Sequence, residues 1–244
     1  NDRTQLAESA AIMRDRINDG HMRAGVTITD PTTTWIDVTV KIENDVTIHP
    51  GSWLIGKTSI AKNSVIGPRS TLKDVVVKES AHIFESNVSE SEIGCCANVG
   101  PYSFIRPGTK VADNAKVGAY VEVKNSKIGE GSKVPHLSYV GDAEIGSGTN
   151  IGAATIFVNY DGVEKHETKI GNDVRIGSDT MLVAPVTVGD GAYTAAGSVI
   201  TDDIPAGAIG VARSKQRNIL GWVLRKRPGT KSAESAKKAG ATEN

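Results

Sequence analysis

The sequence predicts an all-β chain wound as a parallel β-helix, with a short N-terminal α-helix and a mostly irregular C-terminal tail. Three observations carry that prediction. Aliphatic residues recur at every sixth position, a small or β-branched residue follows four places after most of them, and aromatic residues are scarce. Aromatics are only 5% of the 244 residues whereas glycines number 26, so a repetitive aliphatic stack must replace an aromatic-centred core.

The beat runs through Ile36, Ile42, Ile48, Leu54, Ile60, Ile66 and Leu72. It loosens over residues 75–92, then resumes at Ile93, Val99, Ile105, Val111, Val117 and Val123. With an occasional five-residue step it continues through Ile128, Val134, Val140, Ile145 and Ile151, and a last run is Ile170, Ile176, Leu182, Val188 and Ile200. Helices repeat at 3.6 residues and strands at 2, so a strict six favours short strands broken by corners. Three such strands close a triangular coil, and coils stack by parallel pairing about 4.8 Å apart. From Ile36 to about Ala206 there is room for roughly nine coils, each touching only its neighbours.

Two segments lie outside this prism. Residues 3–19 carry Leu6, Ala10, Met13 and Ile17 at helical spacing, Asp2 and Gln5 can form a capping box, and Gly20 is expected to end the helix. Beyond the prism the chain is basic and then nearly without apolar residues, so the last fifteen or so residues are expected to be disordered. The organisation expected is a helical linker over 1–24, a β-helix over 25–212 and a basic tail over 213–244.

Composition narrows the function classes. Lys+Arg and Asp+Glu both total 28, which argues against a globally basic nucleic-acid surface. No apolar run is as long as a membrane span and no signal peptide is evident; two unexceptional thiols lead to the expectation of a cytoplasmic protein. The opening NDRTQL lacks an initiator Met, so a shortened chain is expected. Cys95 and Cys96 are adjacent, which rarely suits disulfide geometry, and they lack the spaced partners of a zinc site.

Register arithmetic then puts distant residues side by side. His136 stands two places after its anchor Val134, at an outward corner, and one coil later Ala153 holds the same place after Ile151. Arg106 and Lys124, eighteen apart, stack on another face, with Glu122 just before that lysine. Ile151 and Ile176 are separated by seven residues more than one coil, and the excess falls in FVNYDGVEKHETK. Subtracting it returns Ser178, and then Ala196, to the file of His136 and Ala153. The result is a track of small residues with a histidine near one end, on which an extended ligand could lie.

The residues HLSYVGD and NYDG at this spacing, with IGSDTMLVAPVTVGDGAYTAAGSVI, resemble one known family. It is the acetyltransferase domain of bacterial bifunctional N-acetylglucosamine-1-phosphate uridylyltransferase/glucosamine-1-phosphate acetyltransferases. The hexapeptide pattern likewise resembles the left-handed β-helix, although parallel crossovers are normally right-handed. The resemblance implies a homotrimer with sites between prisms that transfers acetyl from acetyl-CoA to glucosamine-1-phosphate. It implies His136 as general base with Glu122 as its orienting partner. It implies Arg106, Lys124, Tyr139, Asn150 and Lys165 as the sugar-phosphate pocket. Ala153, Asn159, Tyr160, Ser178, Ala196 and Arg213 would contact acetyl-CoA. No metal is implied for acetyl transfer. NDRTQL resembles the end of the family's uridylyltransferase half, where Asn1 would be a magnesium ligand. The Gly-rich loop and catalytic lysine of that half are missing, so this chain is not expected to form a UDP-sugar.

Plainer readings stand beside these. A lone histidine is more often a corner residue capping a carbonyl, and Arg106 and Lys124 can be solvated edge charges. Tyr160 can simply pin its loop. His21, His49, His82 and His166 read as structural or surface residues. A zinc hydratase on the same prism needs three converging histidines, of which only His136 sits at a suitable corner. A non-catalytic scaffold needs neither the cations nor the NYDG excursion.

Overall fold

The computed structural model describes residues 2–242, which divide into two units, up to Ala212 and from Arg213 onward. In the first unit each six-residue step yields a strand of two to four residues, and all strand pairs between successive coils are parallel. Three sheets of eleven, ten and nine strands form the sides of the coil. The first runs from Thr27–Ile28 to Ile209–Gly210, the second from Trp35–Ile36 to Val199–Ile200, and the third from Lys41–Ile42 to Val186–Val188. The chain is thus a left-handed parallel β-helix of the hexapeptide type.

The aliphatic anchors form one continuous core. Ile48, Ile66, Leu72, Ile105, Val134 and Ile151 are wholly buried. The small residues four places on are buried too, and several of their hydroxyls bind corner carbonyls; Ser132 Oγ donates to Gly146 O at 2.5 Å. That satisfies polar groups that a corner would otherwise leave unpaired. The loose patch at 75–92 proves to be regular coil: Val77, Ile83 and Val88 fill the anchor slots after five- and six-residue steps. Phe157 fills another, opposite Leu182, and is fully buried.

Helix α1 spans Arg3–Arg23 and has the expected capping box, with Gln5 N–H donating to the Asp2 carboxylate at 2.8 Å. Gly20 does not end it. The Ala24 N–H still bonds to Gly20 O, and an Arg23–Asp19 ion pair at 2.7 Å supports the last turn. These ties outweigh a glycine penalty of about 1 kcal/mol, and the chain turns away at Gly25, where φ is +95°. Asn18 fastens the helix to the first coil, its amide donating to Pro31 O and Thr34 O at 3.0 Å each.

The second unit is irregular up to α2 (Trp222–Lys226), which is followed by α3 (Lys231–Lys238). Helix α3 replaces the disorder expected at this end. Thr230 caps it by accepting from Ala233 N–H at 3.3 Å. Leu224 and Ala233 are buried, so a few apolar residues at helical spacing suffice for a small local contact.

Candidate active site

The corner after the first sheet builds one straight file. Ala119 and His136 are strand partners. His136 O accepts from Ala154 N–H at 3.2 Å, Ala153 O from Asp179 N–H at 2.8 Å, and Ser178 O from Gly197 N–H at 2.9 Å. These bonds set Ala119, His136, Ala153, Ser178 and Ala196 one above another, as the register arithmetic expects. The N–H groups of Gly152 and Ala154 are engaged by the ladder, whereas that of Ala153 between them has no protein acceptor among the described residues. The same holds for Ser178 and Ala196. Outward donors therefore recur at coil spacing along a strip of small side chains. His136 itself is exposed and borders a cavity of about 430 Å³ that Phe84, Pro101, Lys116 and Ala119 also line.

Three residues after His136 the chain enters a strand of the second sheet, Tyr139–Gly141, and that sheet carries the cations. Arg106 lies beside Lys124, its N–H donating to Val123 O at 2.8 Å, and Lys124 in turn is the partner of Gly141. Glu122 is opposite Tyr139. The expected pairing of Glu122 with His136 is not made. Its carboxylate instead holds the Arg106 guanidinium at 2.8 Å, because both stand on the second sheet while the histidine stands at the corner before it.

The excursion is compact. The Tyr160 and Lys165 backbones pair antiparallel, and His166 N–H donates to Asn159 O at 2.8 Å. Asp161 accepts from Val163 and Glu164 N–H, both at 2.7 Å, and its other oxygen meets His166 at 2.7 Å. The Glu164 N–H, His166 and the Val163 N–H together hold the Asp161 carboxyl far below the usual carboxylate range. Tyr160 uses its hydroxyl on Gly162 O within the loop and leaves its ring exposed. Lys165 reaches Lys124, and contact with that second ammonium lowers the Lys165 pKa. Paired ammonium groups favour a multiply charged anion between them.

Two residues of this region escape the sequence reading. Asp142 lies under the excursion with its side chain 14% exposed. It accepts from Asn125 at 2.7 Å and from Asn159 at 2.5 Å, and Lys124 is 3.8 Å away. Burial disfavours its charge, but the two amides and the Lys124 and Lys165 ammonium groups outweigh burial and lower its pKa. Asn125, Asp142 and Asn159 are spaced one seventeen-residue coil apart, a signal the register arithmetic contains. Gly141 is the other: a Cβ there would stand 2.7 Å from the Asn159 amide nitrogen and nearer still to the Tyr139 hydroxyl.

Not every expected residue converges. Asn150 belongs to the first sheet, between Lys133 and Arg175, apart from the cations of the second. Arg213 is exposed and opens the second unit. Asn1 lies outside the described residues. Among those described, no three His, Cys, Asp or Glu side chains are grouped to hold a metal, and no helix is long and apolar enough to cross a membrane.

Residues 167–202 match the family described as bacterial transferase hexapeptide (six repeats). The chain is 57% identical over 243 residues to the bifunctional protein GlmU of Corynebacterium diphtheriae, covering 100% of this chain and 50% of that protein. It is 57% identical over 240 residues to GlmU of Rhodococcus jostii, covering 98% and 48%. GlmU of Streptomyces coelicolor is 56% identical over 236 residues, covering 97% and 49%. The chain spans about half the length of the curated relatives it matches.

Proposed function

We propose that the chain is a hexapeptide-repeat transferase and that it transfers the acetyl group of acetyl-CoA to the amine of glucosamine-1-phosphate. The observation that carries this reading is the file from His136 to Ala196, flanked on the next face by Arg106, Lys124 and Lys165. Acetyl-CoA lies along Ala153, Ser178 and Ala196, with Asn159 and Tyr160 as further contacts. The phosphate is held by the three cations and the sugar by Tyr139. Asn150 is supplied from the first sheet of a neighbouring prism in a homotrimer. The exposed stack of Tyr102 on Tyr120, with ring centroids 5.1 Å apart, and exposed Leu137 offer an apolar edge for that contact.

The chemistry follows from those positions. The sugar nitrogen attacks the thioester carbonyl carbon, forming the C–N bond. The carbonyl oxygen gains charge and is met by the free Ala153 N–H, a donor fixed by the coil on either side. His136 takes the proton from nitrogen as general base. The C–S bond then breaks, and the thiolate leaves as CoA and accepts that proton. Glu122 acts on the phosphate side, holding Arg106, and not as the orienter of the histidine.

The test is release of free thiol when the full chain meets acetyl-CoA and glucosamine-1-phosphate. Rapid release with the phosphosugar and far slower release with glucosamine are expected. Lack of any amine-dependent thiol would overturn the reading.

A further inference from the structure

We propose that Asp142 is a positioning residue that locks the phosphate-binding lysines to the excursion, so that the pocket is shaped before substrate arrives. The inference rests on the glucosamine-1-phosphate reading and deepens it. Asp142 is placed where three coils meet. Its two carboxylate oxygens are engaged by amides from the coil below, Asn125, and from the excursion above, Asn159. Lys124 lies 3.8 Å from the same oxygen that Asn159 binds. Its backbone continues the link: Asp142 N–H donates to Lys124 O at 3.1 Å, and Asp142 O accepts from Thr168 N–H at 3.2 Å, where the excursion rejoins the sheet. Asn159 then passes the constraint to the far strand of the excursion, next to Lys165, through its carbonyl bond with His166.

Two effects of removing the charge oppose each other. Freeing Lys124 from a carboxylate makes the pocket more positive, which alone would tighten phosphate binding. Replacing the carboxylate with an amide leaves only one acceptor for two donors, so Asn125 or Asn159 must face another donor. An ion pair at 3.8 Å near the surface contributes little, whereas a largely buried donor left without an acceptor is costly. The second effect wins, and the sign of the change in substrate affinity is therefore diagnostic.

The experiment compares the full chain with Asp142→Asn, alone and combined with Lys165→Met, in the thiol-release assay. Asp142→Asn should raise KM for glucosamine-1-phosphate about tenfold while kcat changes by less than about threefold. In the Lys165→Met background the same substitution should raise KM by no more than about threefold, since the displaced excursion then carries no phosphate-binding ammonium at that position. The exchange variant Asp142→Asn/Asn159→Asp, which restores one acceptor between the two residues, guards against a folding defect and should recover part of the loss. An unchanged or lowered KM in Asp142→Asn, or an equal effect in both backgrounds, overturns the inference. Failure of the unsubstituted chain to turn over glucosamine-1-phosphate would instead remove the function on which it rests.

Discussion

The same corner file runs the length of the prism, and its two halves are furnished differently. In the early coils it holds Pro50, Pro68 and Pro101, whose carbonyls accept from Arg69, Glu85 and Tyr120 N–H at 2.9, 2.9 and 3.3 Å. Further along, the identical backbone positions hold Ala119, His136, Ala153, Ser178 and Ala196. A proline offers no N–H and fills the corner with its ring, whereas Ala153, Ser178 and Ala196 leave N–H groups facing outward and His136 adds one titratable side chain. The neighbouring face shows the same contrast. Trp35 and Trp53 pack 5.9 Å apart near the start, and Arg106, Lys124 and Lys165 gather farther along. A uniform scaffold thus confines chemistry to coils whose corners depart from the repeat.

Substitutions in either half can break or sharpen that contrast. The largest expected effect is on stability: Phe157→Ala should cost about 3–5 kcal/mol, since it empties the anchor slot filled by a wholly buried aromatic ring. Thermal unfolding should show it. Ile60→Val in the early coils, which removes a single methyl group from a buried anchor, should cost only about 0.5–1.5 kcal/mol. Next, His136→Ala should lower turnover at least about a hundredfold, the scale of a lost general base, with oligomeric state and melting temperature preserved. Unchanged turnover would take His136 out of the mechanism.

A smaller effect concerns acid. The Asp142 carboxyl titrates below its ordinary value in the folded chain, so its contribution is complete above the unfolded pKa of about 3.9 and is lost as pH falls through the lower folded value. Denaturant unfolding followed from about pH 6 to about pH 3 should therefore decline less steeply in Asp142→Asn than in the unsubstituted chain. Parallel curves would show that Asp142 does not contribute in this way.

Much of this was legible in the six-residue beat, because a periodic backbone converts sequence distance into spatial stacking. The alignment of His136, Ala153, Ser178 and Ala196 required only the anchors and a seven-residue correction for the excursion. The steps near 75–92 are obscured because Val77, Val88 and Ile93 each follow a five-residue interval that hides the strict period. Glu122 was assigned by resemblance, and its side chain found Arg106 because strand partners on one face meet more readily than residues across a corner. Asp142 was missed although it sits in HLSYVGD. Its importance lies in two amides one coil away on either side, a relation visible only when polar residues are tracked in register as the aliphatic ones were. The helix at 231–238 was missed because Thr230 as a cap and two small apolar contacts are weak local signals.

The claim that the later half of the file is the acetyl-CoA track is tested most directly by obstructing it at two points. KM for acetyl-CoA should rise at least about tenfold, equivalent to roughly 1.4 kcal/mol, in Ser178→Trp. It should stay within about twofold in Pro50→Trp, which adds the same bulk to the same file among the early coils. Equal KM values in the two variants would contradict the account.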